Sequence, residues 1–145
     1  MTTAREIMHQ GAKCVGEDES LLKAAQMMRD LEVGSLPICG NDNRLKGIIT
    51  DRDLVIKCIA QGRDPASVRA GDFAQGGLYW VDASEDADAV VRTMEEHRIR
   101  RVPVLENNQL VGMISEADLA QHLPEDKLAH FVESVYASGG SSGRR

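Results

Sequence analysis

The chain has 145 residues, of which 42% are hydrophobic and only 3% aromatic, and its net charge is −6. This acidic balance argues against a nucleic-acid partner, because duplex binding depends on clustered Lys and Arg. No apolar run approaches the roughly 20 residues that a membrane span needs, and Met1–Gln10 lacks the apolar core of a signal peptide, so we expect a cytoplasmic protein without a membrane partner.

The two halves of the chain repeat one another. Pro37 and Pro103 stand inside matching apolar segments, an offset of 103 − 37 = 66. Further along, Gly47–Thr50 matches Gly112–Ser115 at an offset of 112 − 47 = 65, so one residue is lost in a turn. An ordered match of this kind is typical of a duplicated structural unit. We call the two halves copy one and copy two.

Each copy is predicted to run strand, helix, strand, strand, helix. The first strands are expected at Lys13–Gly16 and Leu78–Asp82. In the helices that follow, four apolar residues at i, i+3, i+4 and i+7 form one face. They are Leu21, Ala24, Ala25 and Met28 in copy one, and Ala87, Val90, Val91 and Met94 in copy two. Asp18 and Ser84 are the expected N-caps.

A hairpin and a second helix complete each copy. Asn, Asp and Gly residues in the hairpin turns tolerate the positive φ that tight turns require. The second helix is expected to end near Gly62 in copy one and at Pro124 in copy two. The predicted hairpin strands are Ser35–Cys39 with Arg44–Ile49, and Arg101–Leu105 with Gln109–Ile114.

The predicted domain organisation is copy one at 1–65, copy two at 66–124, a C-terminal helix at 125–137 and a mobile Gly- and Ser-rich tail at 138–145. A unit of about 65 residues buries little of its surface alone. We therefore expect an α+β fold, an α/β sandwich in which the copies pack with pseudo-two-fold symmetry. Clefts between such units suit a small ligand.

Two motifs in register carry a family resemblance. An apolar-Pro-apolar strand is followed by a turn and then by Gly, two apolar residues, Ser or Thr, and an Asp three residues later. The motifs end at Asp53 in copy one and at Asp118 in copy two, and Thr3–Met8 and Arg69–Ala74 look like the short lead-in before each. The chain resembles a tandem cystathionine-β-synthase (CBS) domain pair, and in particular small bacterial CBS-pair proteins, which points to a stress role.

The resemblance implies a homodimer that binds an adenine nucleotide in its clefts. By the family pattern, Asp53 and Asp118 would bond ribose hydroxyls, Thr50 and Ser115 would help to hold phosphate, and the backbone at Leu36 and Val102 would contact the base. A carboxylate can accept from both ribose hydroxyls, and a hydroxyl at a helix start stands beside free N–H groups that favour an anion.

The same motif residues also fit a purely structural role. Ser or Thr with an acid three residues later resembles a capping box at a helix start. Arg98, Arg100 and Arg101 give copy two a basic cluster, which either meets phosphate or forms a solvated helix end. Copy one lacks this cluster, so any nucleotide is expected to depend more on copy two.

Two histidines suggest a metal. His97 closes the first predicted helix of copy two and His122 closes its second. In a two-fold dimer, two histidines per chain supply four nitrogen ligands, which suits tetrahedral zinc. The alternative is that each histidine interacts with the dipole of its helix.

Two of the three cysteines suggest a disulfide. Cys14 and Cys39 lie on the first and second predicted strands of copy one, which a helical crossover places side by side and parallel. Neighbouring strands lie about 4.8 Å apart, within the range of a disulfide. The alternative is two buried thiols in a reducing cytosol. Cys58 is expected in the core.

Three functional hypotheses follow. The first is a non-catalytic regulatory module whose ligand stabilises one arrangement of the two copies, which an unidentified regulated protein then recognises. The second, an enzyme, has little support, since no Ser-His-Asp or Cys-His arrangement and no glycine-rich phosphate loop is suggested. The third is a redox- or metal-stabilised stress protein that binds no nucleotide. No cofactor is required by any of the motifs.

Overall fold

The computed structural model describes residues 2–74 and 78–136, so the predicted tail at 138–145 and the last residue of the predicted C-terminal helix lie outside the described residues. The chain forms two compact units. Among the described residues, one unit contains 12–74 and 78, and we call it the copy-one unit. The other combines 2–11 with 79–136, and we call it the copy-two unit.

The copy-one unit contains a three-stranded sheet. Strand β3 (Ser35–Cys39) lies between β2 (Val15–Gly16), to which it is parallel, and β4 (Leu45–Thr50), to which it is antiparallel. Helix α2 (Leu21–Leu31) connects β2 to β3, as a parallel pair requires. Its Leu21, Ala24 and Met28 are buried, while Ala25 is only partly so.

After β4 the chain turns directly into helix. A short α3 (Asp51–Asp53) continues as a π-helical segment, Leu54–Ile59. This segment ends at Ile59, close to Gly62, where the second helix of copy one was predicted to end. Gly62 has a φ of +75°. A 3-10 helix, Ala70–Phe73, packs beside β2 and β4.

The copy-two unit repeats this plan and extends it. Strands β5, β6 and β7 show the same order and directions as β2, β3 and β4, and helix α4 connects β5 to β6. Helix α5 follows β7, and α6 comes last. The bounds are β5 Val81–Asp82, α4 Ala87–His97, β6 Arg101–Glu106, β7 Gln109–Ser115, α5 Glu116–His122 and α6 Glu125–Tyr136. The identical strand order supports the predicted duplication.

The N-terminal segment completes the copy-two unit. Helix α1 (Ala4–Ile7) is buried through Ala4 and Ile7, and β1 (His9–Gln10) adds a fourth, antiparallel strand beside β7. The sequence identified this segment as a lead-in to copy one. In the fold, the compact units and the sequence repeats are therefore different divisions of the chain.

The predicted N-caps were two residues too early. Helix α2 is capped by Ser20, whose Oγ accepts the Lys23 N–H, and α4 by Asp86. Ser84 instead donates its N–H and hydroxyl to Asp82, the last residue of β5, and these bonds hold the pKa of the Asp82 carboxyl below its ordinary value. Ser84, which the sequence pattern assigned to the start of α4, therefore stabilises the turn after β5.

Each unit has its own aliphatic core. In the copy-one unit, buried Val15, Ile38 and Ile49 bring the strands together. In the copy-two unit, Val81, Val104 and Ile114 do the same, and Phe131 of α6 is fully buried against them. Helix α6 therefore belongs to the core of its unit and is not an appendage. Among the described helices, none combines the length and the apolar character that crossing a membrane requires.

Candidate ligand site residues and the two motifs

Both motif ends are capping boxes. In copy one, the Thr50 hydroxyl accepts the Asp53 N–H, and Oδ2 of Asp53 accepts the Thr50 N–H, each at 3.0 Å. In copy two, Oδ2 of Asp118 accepts the Ser115 N–H at 2.8 Å, and the Ser115 hydroxyl accepts the Asp118 N–H at 3.4 Å. The structural role that the sequence allowed is thus present at both helix starts.

The two motif acids differ in what holds their second oxygen. Oδ1 of Asp53 pairs with the Lys57 ammonium at 3.2 Å, and 21% of the Asp53 side chain is exposed. Oδ1 of Asp118 faces Nδ1 of His9 at 3.1 Å, and only 3% of the Asp118 side chain is exposed. Copy one therefore presents the more accessible carboxylate, although copy two carries the basic cluster.

The basic cluster of copy two is divided among different partners. Arg98 is the left-handed C-cap of α4, at φ 52°. Arg100 lies 3.8 Å from Glu116 and donates to the Tyr136 hydroxyl at 3.0 Å, with its guanidinium over the Tyr136 ring. Arg101 is the register partner of Ser115 across β6 and β7. Arg100 and Arg101 therefore both lie beside the motif, through Glu116 and through strand pairing with Ser115.

The residues predicted to contact a base lie on the central strand of each sheet. Leu36 of β3 pairs with Ile49, and Val102 of β6 pairs with Ile114. Both side chains are buried. Their equivalent positions follow from the duplicated topology, since β3 and β6 each lie between a parallel and an antiparallel neighbour.

Both candidate zinc ligands end a helix of the copy-two unit, as predicted. His97 is the last residue of α4, and its ring stacks on Tyr79. His122 is the last residue of α5, and its Nδ1 lies 2.9 Å from the backbone oxygen of Asp118. A carbonyl oxygen can only accept, so Nδ1 carries the proton and Nε2 of a neutral ring keeps its lone pair.

Cys14 and Cys39 form a disulfide, with their Cα atoms 5.7 Å apart. Cys39 ends β3, and Cys14 stands immediately before β2 instead of inside it. The parallel pairing of β2 with β3 that motivated the prediction is confirmed. Cys58 is a buried free thiol in the core of the copy-one unit, also as predicted.

Sequence reasoning missed three contacts around these residues. They involve His9 with Asp118, Tyr136 with Arg100, and Tyr79 with His97. The N-terminal lead-in showed only that an ordered segment precedes copy one. No spacing rule used for the repeat, the helices or the cysteines relates the members of these pairs.

These features define a tandem pair of small α/β units with a capped Ser/Thr-x-x-Asp motif in each. The CBS domain family matches residues 4–59 and again residues 70–125. The chain belongs to the CBS domain family and contains two of its domains.

Two individual proteins are similar to this chain along most of its length. Hypoxic response protein 1 of Mycobacterium tuberculosis is 51% identical over 135 residues, which cover 93% of this chain and 94% of that protein. CBS domain-containing protein YhcV of Bacillus subtilis is 33% identical over 124 residues, covering 83% of this chain and 84% of the relative.

Two solved structures have a similar fold. A crystal structure of Hypoxic Response Protein I with two coordinated zinc ions is 52% identical, has a TM-score of 0.78 and covers 85% of this chain and 100% of that chain. A protein with CBS domains from Burkholderia ambifaria is 26% identical, has a TM-score of 0.72 and covers 94% of this chain and 95% of its own. This chain is a CBS-pair protein homologous to hypoxic response protein.

Proposed function

We propose that this chain is a non-catalytic, regulatory CBS-pair protein of a stress response, which forms a homodimer and binds zinc through His97 and His122. The observation that carries the zinc assignment is the hydrogen bond between Nδ1 of His122 and the backbone oxygen of Asp118. Zinc-binding histidines commonly donate their second ring nitrogen to a carbonyl or carboxylate oxygen, which fixes the ring and its tautomer. The two zinc ions in the related crystal structure support the same metal.

The ligand count supports a dimer. Structural zinc sites use four protein ligands. Among residues 2–74 and 78–136, no group of three or more His, Cys, Asp or Glu side chains could hold a metal ion. Two histidines per chain reach four only when a second copy contributes its own pair, and a two-fold interface does this by symmetry. Zinc binding and dimerisation are therefore coupled in this proposal.

A regulatory role fits the chemistry of the side chains. In the part of the chain that the structure describes, ring nitrogens of His122 and His130 are hydrogen-bonded and that of His9 lies 3.1 Å from Asp118, so their partners are carboxylate or backbone oxygens. A serine or cysteine nucleophile is usually activated by such a base beside it, and the partners of these rings are oxygens of another kind. The motif acids serve as helix caps. The Cys14–Cys39 disulfide adds a covalent element that suits a protein made under stress.

Zinc titration of metal-free protein tests the proposal. The unsubstituted protein should take up zinc stoichiometrically and unfold at a higher temperature when loaded, because a ligand that binds the folded state stabilises it. His97→Ala and His122→Ala should each abolish uptake. His130→Ala is the matched control, since this histidine pairs with Glu95 at 2.9 Å. Uptake retained in either His97→Ala or His122→Ala would overturn the zinc assignment.

An adenine nucleotide is the second candidate ligand. The observation in its favour is the partly exposed Asp53, whose neighbour Lys57 supplies a cation at the start of the helix. The sequence predicts a larger role for copy two, whereas exposure favours copy one. Isothermal titration of the Asp53→Ala and Asp118→Ala variants with an adenine nucleotide distinguishes these alternatives. If titration of the unsubstituted protein releases no heat of binding, the nucleotide proposal is excluded.

A further inference from the structure

Tyr79 and His97 form an aromatic stack in the copy-two unit. Their ring centroids lie 3.7 Å apart and their planes meet at 16°. Tyr79 lies two residues before β5, outside any helix or strand, and His97 is the last residue of α4. Both nitrogens of an imidazole lie on the edge of the ring. A face-to-face stack therefore restrains the ring and leaves the nitrogens uncovered.

A histidine at a helix end needs such a restraint if it is to bind a metal. The backbone beyond His97 departs from the helix at Arg98, which has a left-handed conformation, so the helix offers no further turn to support the ring. The rotamer freedom of an exposed side chain must be lost on metal binding, and a ring that is already held loses less. The phenol of Tyr79 provides this support from one face.

The stack also favours the metal-bound ring electronically. Coordination withdraws electron density from an imidazole and gives it partial positive charge. The face of a tyrosine ring is negative and attracts a positive group, with the strongest effect where water is partly excluded. The contact is therefore stronger with a metal-bound imidazole than with a neutral one, and this difference adds to the zinc affinity.

We propose that Tyr79 is a positioning residue for zinc, which orients His97 and strengthens its bond to the metal. This inference rests on the zinc proposal above. It identifies a residue that binds no metal itself and that no spacing of histidines or cysteines would reveal. Trp80, the next residue, is also exposed and aromatic, which provides a matched control in the same segment.

The test compares zinc affinity, by competition with a chelator, in variants at both positions. Tyr79→Ala and Tyr79→Leu should weaken zinc binding roughly 2- to 10-fold, the range that the loss of an aromatic stack gives. Leu keeps an apolar side chain at the position, so it controls for lost packing if Ala unfolds the segment. Tyr79→Phe keeps the aromatic face and should retain most of the affinity, and Trp80→Ala should bind zinc as the unsubstituted protein does.

Two spectroscopic measurements separate positioning from general stability. Cobalt substituted for zinc should give a visible spectrum that changes in Tyr79→Leu and is unchanged in Trp80→Ala. Zinc binding should also perturb tyrosine absorption, and since the chain has two tyrosines, the signal should disappear in Tyr79→Phe and persist in Tyr136→Phe. Unchanged affinity and an unchanged cobalt spectrum in Tyr79→Leu would overturn the role of Tyr79 alone. Uptake that survives His97→Ala would overturn both proposals together.

Discussion

Nδ1 of His9, on the strand that precedes copy one, lies 3.1 Å from Oδ1 of Asp118, the motif acid of copy two. The other carboxylate oxygen of Asp118 accepts the N–H and the hydroxyl of Ser115, at 2.8 and 3.0 Å. Both oxygens of this buried acid are therefore engaged within the copy-two unit. The N-terminal segment reaches the motif of copy two, where the sequence alone associated it with copy one.

The burial of Asp118 predicts a stability difference between the two motif acids. Asp118→Ala removes a cap and leaves the Ser115 N–H without its acceptor, which should cost about 2 kcal/mol of unfolding free energy. Asp53→Ala should cost about 1 kcal/mol, because the more exposed site admits water. Urea denaturation measures both. His9→Ala should cost less than about 1 kcal/mol, since the His9 side chain is 67% exposed. Equal losses at the two acids would contradict this account.

Gly112 is predicted to be essential for the pairing of β1 with β7. A Cβ at this position would lie 2.5 Å from the backbone oxygen of His9 and 2.5 Å from Sδ of Met8. Because the backbone at His9 cannot move away from this Cβ without a cost in free energy, Gly112→Ala should destabilise the protein by about 1–3 kcal/mol. Gln109→Ala, at an exposed position of the same strand, should change stability by less than about 0.5 kcal/mol. Thermal or urea unfolding of both variants provides the comparison.

The disulfide should contribute measurably to the stability of the copy-one unit. Cys14 and Cys39 are separated by 25 residues, and closing a loop of that length in the unfolded chain is worth about 3 kcal/mol in the entropic description. Reduction should lower the free energy of unfolding by this amount and should therefore lower the urea concentration at the unfolding midpoint. A Cys14→Ser, Cys39→Ser double variant should start at the lower midpoint and show no further response to reductant. A response in that variant would assign the effect to Cys58.

An exposed apolar helix face of the copy-one unit is a second surface that we expect the homodimer to bury, in addition to the region of His97 and His122. Val55 and Ile59 of the π-helical segment are each more than half exposed, and Ile56 lies beside them. Burying such residues between subunits is favourable by about 25 cal/mol per Å² of apolar surface. Ile59→Lys should therefore shift the protein towards the monomer in multi-angle light scattering. Gln61→Lys, an exposed position in the following turn, should leave the dimer intact, and a dimer retained in Ile59→Lys would point to another face.

Local chemistry explains why so much of the fold could be predicted. The i, i+3, i+4, i+7 pattern identified α2 and α4, because a helix must bury one face whatever surrounds it. The hairpins followed from Asn- and Gly-containing turns, and the parallel pairing that brings Cys14 to Cys39 followed from the helical crossover. The motif acids were located at helix starts because Ser or Thr and an acid three residues later satisfy the free N–H groups there.

The sequence by itself determined the duplication, through its ordered repeat, and also the order of elements within each copy and the capping boxes at Thr50 and Ser115, because these depend on local spacing. Only the tertiary structure decided that residues 2–11 join the copy-two unit, that His9 pairs with Asp118, and that Tyr79 stacks on His97. No local spacing rule relates the members of these pairs, which are selected by the packing of whole elements. Burial then separates two motifs of the same chemistry, leaving Asp53 partly exposed and Asp118 enclosed.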